Sequence, residues 1–165
     1  MSLGISDSGI VIGAGRTERA IAIDVVRELL DALGRRDLDA ASACLAPGFV
    51  MTVPGNHQFR RLEDFVAFSA GRNGAVRKSI DGLEASEAPT GIAVYAMGTM
   101  SGSWLDGTPF QGVRWCDRFV LRDGRIVEMQ VWSDLGELRP RCADARAAAA
   151  AALSRCAAAR SACGR

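Results

Sequence analysis

The spacing of the apolar residues changes once along this 165-residue chain, and that change limits the folds available to it. Before about residue 70, apolar side chains recur every three or four residues, which is the period of an amphipathic helix. After about residue 76 they fall in longer β-rich runs, and Asp106-Gly107 and Asp123-Gly124 separate successive runs. An Asp-Gly pair between two such runs indicates a tight hairpin. Helices followed by a meander of strands predict the α+β class.

The individual elements follow from caps and helix-breaking residues. Thr17 can cap the first helix and Gly34 can end it, while Asp37 can cap a second helix that stops at Pro47-Gly48. The remaining elements are predicted in order as a strand over 49–53, a helix over 62–70, and strands over 76–87, 92–104, 109–121 and 125–134.

Composition divides the chain into three parts. Residues 1–16 are small and polar, and we interpret them as a flexible lead-in. Residues 17–138 are predicted to form the α+β domain. Residues 139–165 hold six arginines and one aspartate, a net charge of +5 against +1 for the whole chain, and half of residues 142–165 are alanine. This tail has almost no large apolar side chain to bury, so it is predicted to be a frayed helix or disordered.

Cysteine and charge usage exclude several classes of protein. The five cysteines are odd in number and form no C-x-x-C pair, which is typical of a reduced cytoplasmic chain and not of a disulfide framework. With a single histidine and no cysteine cluster, the sequence predicts no metal site, and it indicates no other cofactor. No run approaches the roughly 20 apolar residues of a membrane span. The arginines of the tail lack interleaved aromatic residues, so no nucleic-acid partner is predicted.

Asp117 is the most informative residue because of its place in the third strand of the meander. Alternate residues of a strand share a face, and here one face consists of Val113, Trp115, Asp117, Phe119 and Leu121. A carboxyl group on such an apolar face is costly unless it is paired or protonated, and desolvation raises its pKa. Two interpretations stay open. Asp117 is either a general acid, general base or hydrogen-bond donor, or a structural carboxylate near a sheet end that pairs with an arginine or a backbone amide.

Other polar residues are weaker candidates for chemistry. His57 lies in a polar loop and is the only side chain whose ordinary pKa suits proton transfer at neutral pH. Asp134 follows Trp132 at the end of the last strand, where the two could line a pocket mouth or simply belong to a half-exposed strand and a turn. Tyr95, the only tyrosine, lies in the middle of a strand, where its ring favours a place in the core.

Three segments of the sequence together resemble a known superfamily. The first is LLDALGRRDLDAA at residues 29–41, followed by CLAPGFV at 44–50. The second is FRRLEDF at 59–65, and the third is CDRFVLRDGRIVE at 116–128, which continues to Trp132-Ser133-Asp134. Over about residues 17–138 the chain is similar to the nuclear transport factor 2-like superfamily, in particular to SnoaL-like polyketide cyclases and ketosteroid isomerases.

The resemblance implies a curved, mostly antiparallel sheet wrapped around three helices, a cone with an internal apolar pocket. By resemblance, Asp117 falls where ketosteroid isomerases keep a carboxylic acid that donates a hydrogen bond to the substrate oxyanion. The position of their helix tyrosine falls near Leu29, and that of their base near Thr52 or Val53, so this chain departs from both. SnoaL-like cyclases use an acidic residue on the last strand for proton transfer, and Asp134 is the nearest acid there.

The sequence therefore favours a cofactor-independent enzyme of SnoaL-like type, which moves protons on a hydrophobic, polyketide-like or steroid-like carbonyl substrate by cyclisation or isomerisation. Asp117 is the predicted proton donor or acceptor, with Asp134 and His57 assisting. The residues predicted to line the apolar pocket are Met51, Phe65, Tyr95, Trp115, Phe119 and Trp132. The alternative is a non-catalytic ligand-binding or dimerisation module of the same fold. The resemblance also implies a homodimer formed through the sheet.

Overall fold

The computed structural model of the chain describes residues 14–138, with side chains from Thr17 onward. The lead-in up to residue 13 and the tail over 139–165 lie outside the described residues, so the predictions made for them stay predictions. Residues up to Trp132 belong to one compact unit, and Ser133 begins a second one. The elements are α1 (Ala14–Arg35), α2 (Leu38–Ala43), β1 (Leu45–Val53), β2 (His57–Phe59), α3 (Leu62–Ala70), β3 (Asn73–Ala88), β4 (Gly91–Trp104), β5 (Pro109–Arg122) and β6 (Arg125–Ser133).

The six strands form one sheet in the order β2-β1-β6-β5-β4-β3. Strand β1 pairs antiparallel with β2 and parallel with β6, while β3–β4 and β4–β5 are antiparallel pairs. The sheet is curved and unclosed, so β2 and β3 are its two edges. These findings confirm the predicted α+β class with a mostly antiparallel sheet.

The β5–β6 hairpin turns where the sequence predicted it. Asp123 and Gly124 have φ angles of 52° and 70°. A two-residue type I′ turn needs positive φ at both central positions, which Asp-Gly adopts at little cost. The turn joins the end of β5 directly to the start of β6, so the two strands lie side by side in the sheet.

The helices cover the sheet at two places. Helix α1 buries Ala22, Val26, Leu29 and Ala32, which recur every three or four residues, and it contacts β3 and β4. Helix α3 contacts β2 and β3, so it connects the two edge strands of the unclosed sheet. Both edges are therefore partly covered by a helix, one of the ways in which proteins protect exposed strand edges.

Helix α1 has 22 residues, which is a sufficient length to cross a bilayer, but its sequence carries charged residues on several sides. Among residues 14–138, no helix combines the length and the apolar character that a membrane span requires.

The boundaries of α1, α2 and β1, in the first half of the chain, differ from the predicted ones. Helix α1 begins at Ala14, three residues before the predicted cap Thr17. Leu45 begins β1 and does not extend α2, and Pro47-Gly48 lies inside β1. The pairing of β1 with β6 shifts register between Leu45 and Val50. A bulge of this kind tolerates both proline and a glycine of positive φ, which explains why Pro47 and Gly48 lie within the strand.

Strand β4 approaches the backbone of β3 very closely at Gly98. A Cβ atom added to Gly98 would overlap the backbone carbonyl oxygen of Ser79 on β3, where the β3–β4 register shifts between Ile80 and Gly82. Backbone groups in a sheet cannot give way as the end of a flexible side chain can. Gly98 is therefore required by the close approach of the two strands.

We expect Gly98→Ala to lower the free energy of unfolding by about 1–3 kcal/mol, the usual cost of overpacking. The matched control is Gly82→Ala in the neighbouring strand, where the new Cβ would meet only the Cγ of Met97 at 3.7 Å. Guanidinium denaturation of the two variants and the wild type measures both effects. Equal stabilities for the two variants would contradict the proposed strand contact.

Candidate functional site

Asp117 is the one charged residue among the described residues whose side chain is fully buried, with 0% exposure. It lies in the middle of β5, opposite Ala96 of β4, and not near a sheet end. Trp115 and Phe119 flank it on the same face and are 3% and 0% exposed. We call this the inner face of the sheet. The structure thus places a carboxyl group at the centre of an apolar face.

Lys78 of the edge strand β3 reaches across β4 to Asp117. Its Nζ donates a hydrogen bond to Asp117 Oδ2 and forms an ion pair with it. The two β4 residues along this route are Ala96, opposite Asp117, and Gly98, opposite Trp115. Because these side chains are small or absent, the lysine can lie over the strand between them. Lys78 keeps 29% of its side chain exposed, so it is the member of the pair that solvent reaches.

The Trp115 ring contacts the ammonium group of Lys78. Its Nε1 donates a hydrogen bond to the backbone oxygen of Thr99 at 3.0 Å, which fixes the orientation of the ring. The Nζ of Lys78 lies 4.0 Å from the ring centroid. A cation over an aromatic face gains between about 0.5 and 2 kcal/mol, depending on desolvation. The ammonium group is therefore held by two partners on the inner face.

The electrostatics of the pair are dominated by burial. Burial raises the pKa of Asp117 above its ordinary value of 3.8, while the charge of Lys78 and its hydrogen bond act in the opposite direction. Asp117 Oδ1 has no hydrogen-bond partner among the described residues. A buried acceptor without a partner costs about 1–3 kcal/mol, so a proton or a ligand donor at Oδ1 would be stabilising. The carboxyl group is thus prepared to hold or exchange a proton.

Lys78 was not among the predicted site residues, although the sequence carries a signal for it. Lys78 is the only lysine, and the other 19 basic residues of the Lys and Arg total are arginines. The partner expected for Asp117 was an arginine or a backbone amide, and the structure replaces that expectation with a lysine. Strand alternation could not reveal it, because the two residues lie on strands separated by β4 and are 39 positions apart.

Two further residues predicted to line a pocket, Met51 and Phe65, lie on the inner face of the sheet or next to it. Met51 is fully buried and pairs with Met129 of β6. Its neighbours Val50 and Thr52 pair with Glu128 and Gln130, whose side chains lie on the opposite face of the sheet. Because side chains alternate along a strand, Met51 lies on the inner face. Phe65 on α3 is half-buried, and its ring centroid lies 5.8 Å from that of Phe59.

Tyr95 and Trp132 lie on the face of the sheet opposite to Asp117, and their predicted place in an apolar pocket stays a prediction. Tyr95 pairs with Arg118, which directly follows Asp117 and therefore points away from it. We call this the outer face. Arg118 donates a hydrogen bond to Glu128 at 3.0 Å, and Trp132 lies two alternations beyond Glu128 with 50% exposure. Strand alternation therefore puts these two aromatic rings on the face opposite to Asp117.

The two predicted assistants of Asp117 lie elsewhere in the chain. His57 belongs to β2 and not to a loop, is exposed, and its ring lies 4.9 Å from that of Phe68. Strand β2 is the sheet edge, three strands from β5. Asp134 lies in the second compact unit, where its carbonyl oxygen accepts a hydrogen bond from the Glu137 amide at 3.0 Å. The participation of either residue in chemistry stays a prediction.

Cysteine and metal chemistry receive no support within residues 17–138. Burial raises the pKa of both described thiols, Cys44 and Cys116, so they are protonated at neutral pH and poor nucleophiles. This part of the chain contains no group of three metal-ligating side chains. A cleft of about 220 Å³ lies beside the β5–β6 turn and contains neither Asp117 nor Lys78 in its lining.

Fold and site together define a curved α+β sheet with a carboxyl group buried on its inner face. Residues 26–129 match the model of the SnoaL-like domain, a span of more than half of the chain. The chain therefore belongs to the SnoaL-like family of the nuclear transport factor 2-like superfamily. No curated protein matches its sequence significantly.

Solved structures with the same fold carry several descriptions. An NTF2-like protein of unknown function from Burkholderia pseudomallei K96243 aligns with a TM-score of 0.60 and 22% identity, covering 72% of this chain and 94% of that one. A candidate SnoaL-like polyketide cyclase from Jannaschia sp. CCS1 gives 0.62 and 20%, covering 74% and 91%. An LEH-like epoxide hydrolase from M. tuberculosis gives 0.56 and 25%, covering 72% and 86%.

We expect the stability of the protein to depend on pH through Asp117. Because its pKa is raised in the folded state, the folded state binds more protons than the unfolded state as pH rises above about 4. The free energy of unfolding contributed by this group therefore falls with rising pH. Asp117→Asn removes that contribution, so its stability relative to the wild type should increase between pH 4 and pH 7.

Chemical denaturation at several pH values measures this difference. Asp64→Asn on the exposed side of α3 changes the net charge equally and serves as the control. A relative stability of Asp117→Asn that falls as pH rises would mean that the attraction to Lys78 exceeds the burial cost, and would contradict the prediction.

Proposed function

We propose that this protein is a small-molecule enzyme that transfers protons on a hydrophobic carbonyl substrate, with Asp117 and Lys78 as an acid/base pair. The observation that carries the proposal is the buried Asp117 carboxyl, which has an unpartnered Oδ1 and a solvent-reachable lysine on its other oxygen. The apolar surroundings given by Trp115 and Phe119 favour a hydrophobic, polyketide-like or steroid-like molecule. No cofactor is needed for such a step.

The chemistry divides between the two members of the pair. The Lys78 ammonium donates a hydrogen bond to the substrate carbonyl oxygen and stabilises the negative charge that develops there. Asp117, in its ionised form, takes the proton from the carbon next to the carbonyl, and in its neutral form returns it at another carbon or oxygen. Raising the pKa of a carboxyl by burial brings it closer to the range in which it can do both near neutral pH. Cyclisation and isomerisation both use this exchange.

A non-catalytic ligand-binding module is the second candidate. Its support is that Asp117 is entirely buried and fully occupied at Oδ2 by Lys78, as a purely structural ion pair would be. In addition, the positions where ketosteroid isomerases keep a tyrosine and a base hold apolar or uncharged residues here. Such a module would bind a ligand on the inner face without converting it. We favour the enzyme because an unpartnered Oδ1 gives the structural role no benefit.

We expect one chemical class in a thermal-shift panel of steroids, aromatic polyketides, terpenoid epoxides and fatty acids to raise the melting temperature. With that ligand in deuterated water, NMR should detect protein-dependent exchange of the proton next to its carbonyl. Asp117→Asn should slow the exchange by roughly 100-fold or more, the usual contribution of a general acid or base. Asp64→Asn is the control and should exchange at the wild-type rate.

The outcomes separate the two candidates. Binding without exchange in the wild type identifies the ligand-binding module. Exchange that continues at full rate in a folded Asp117→Asn variant removes Asp117 from the chemistry. A response only to terpenoid epoxides would direct the assay to ring opening by water, since one neighbour by fold is described as an epoxide hydrolase.

We also propose that two copies associate through the outer face of the sheet, and that the protein works in the cytoplasm. The outer face carries Tyr95, Met97 and Trp132, and Trp132 is 50% exposed although its ring is large and apolar. Exposed aromatic rings of this kind are frequent in protein interfaces. The odd number of cysteines in the sequence and the absence of a C-x-x-C pair support a reducing compartment.

We expect Trp132→Glu to shift the protein from dimer to monomer in sedimentation-velocity measurements, because a carboxylate would lose its hydration in an apolar interface. Leu105→Glu is the matched control, since Leu105 is 61% exposed in the β4–β5 turn and outside the outer face. A wild-type monomer, or a dimer that persists in Trp132→Glu, would refute this interface.

A further inference from the structure

The choice of lysine at position 78 is unexpected for an ion pair alone. Of the 20 lysines and arginines in the chain, the remaining 19 are arginines. Arginine binds a carboxylate with two parallel hydrogen bonds and stacks well on tryptophan, so it would serve a structural pair at least as well. What lysine offers and arginine does not is an amine that can lose its proton and attack a carbonyl carbon.

The surroundings of Lys78 fit that use. Its Nζ touches a carboxyl group on one side and the Trp115 ring on the other, and the side chain remains 29% exposed. The carboxyl group lies in hydrogen-bond contact with the ammonium and is therefore placed to exchange a proton with it. The unpartnered Oδ1 can exchange protons with a bound molecule while Oδ2 stays on the lysine. Reaction and proton transfer can therefore occur within one pair.

We propose that Lys78 forms a covalent iminium with a carbonyl substrate, and that substrates are ketones or 1,3-dicarbonyl compounds of polyketide type. This inference rests on the proposed function and deepens it. Instead of only donating a hydrogen bond to the carbonyl oxygen, the lysine nitrogen replaces that oxygen. A protonated imine withdraws electrons more strongly than the ketone, so the neighbouring C–H becomes more acidic and Asp117 can remove its proton.

The atoms of the step balance without an oxidant or a reductant. Asp117 takes a proton from the Lys78 ammonium, and the free amine forms a C–N bond while the carbonyl electron pair moves to oxygen. That oxygen receives the proton from Asp117, and a second proton follows from nitrogen through the same carboxyl group. The C–O bond breaks and the oxygen leaves as water, so both protons of the water come from the original ammonium. Hydrolysis reverses the sequence and releases the product.

The test uses the full-length wild-type protein and 2,4-pentanedione, a 1,3-diketone that forms a stable enaminone with an unprotonated amine. We expect a mass gain equal to the diketone less one water, mapped by peptide analysis to the peptide that contains Lys78. Because the chain has one lysine, the N-terminal amine is the other amine that can react. The native protein should react faster than the same protein unfolded in guanidinium chloride, where Asp117 can no longer relay protons between the amine and the carbonyl oxygen.

Two variants complete the test. Lys78→Arg keeps the positive charge and should lose both the adduct and the substrate proton exchange, while Asp117→Asn should form the adduct more slowly. An adduct confined to the N-terminus, or a native Lys78 that reacts no faster than the unfolded one, overturns the inference. Proton exchange that survives in Lys78→Arg but not in Asp117→Asn also overturns it, and leaves the proposed acid/base function intact.

Discussion

The contact between Lys78 and Asp117 is the constraint on which the described site depends. Bringing a carboxyl group into an apolar layer costs several kcal/mol when it is ionised, even after relaxation of the protein. The structure offsets this cost with one lysine, and the lysine in turn depends on Trp115 beneath it and on small residues at 96 and 98 of β4. We expect a change at any of these positions to alter the ionisation of Asp117.

The position of Lys78 also connects the site to the edge of the sheet. Strand β3 has a neighbour on one side only, and its register against β4 shifts between Ile80 and Gly82, just beyond the lysine. The close approach of the two strands at Gly98 lies at that shift. Helix α3 contacts both β3 and the opposite edge strand β2. The lysine is therefore carried by an edge strand of the sheet, while its carboxyl partner lies on a central one.

The sequence was sufficient for the class of fold because its signals are local. Alternation placed Asp117 on the apolar face, and Asp123-Gly124 predicted the hairpin that follows β5. It was insufficient where a partner is distant in sequence. Lys78 was missed because only the β3–β4–β5 register brings it to Asp117. Tyr95 and Trp132 could not be placed relative to Asp117, because alternation along one strand does not show which of its faces adjoins a given face of the next strand.

The contrast between the two faces of β5 argues for a functional role of Asp117. On the outer face, Arg118 and Glu128 form an ion pair whose side chains are 24% and 41% exposed, and such pairs contribute little to stability. On the inner face, a buried pair is often no more stable than apolar residues of the same size. Stability alone would therefore favour an apolar residue at 117. A carboxyl with one free oxygen and a lysine that solvent reaches are costly for packing, but they are what proton transfer on a carbonyl compound requires.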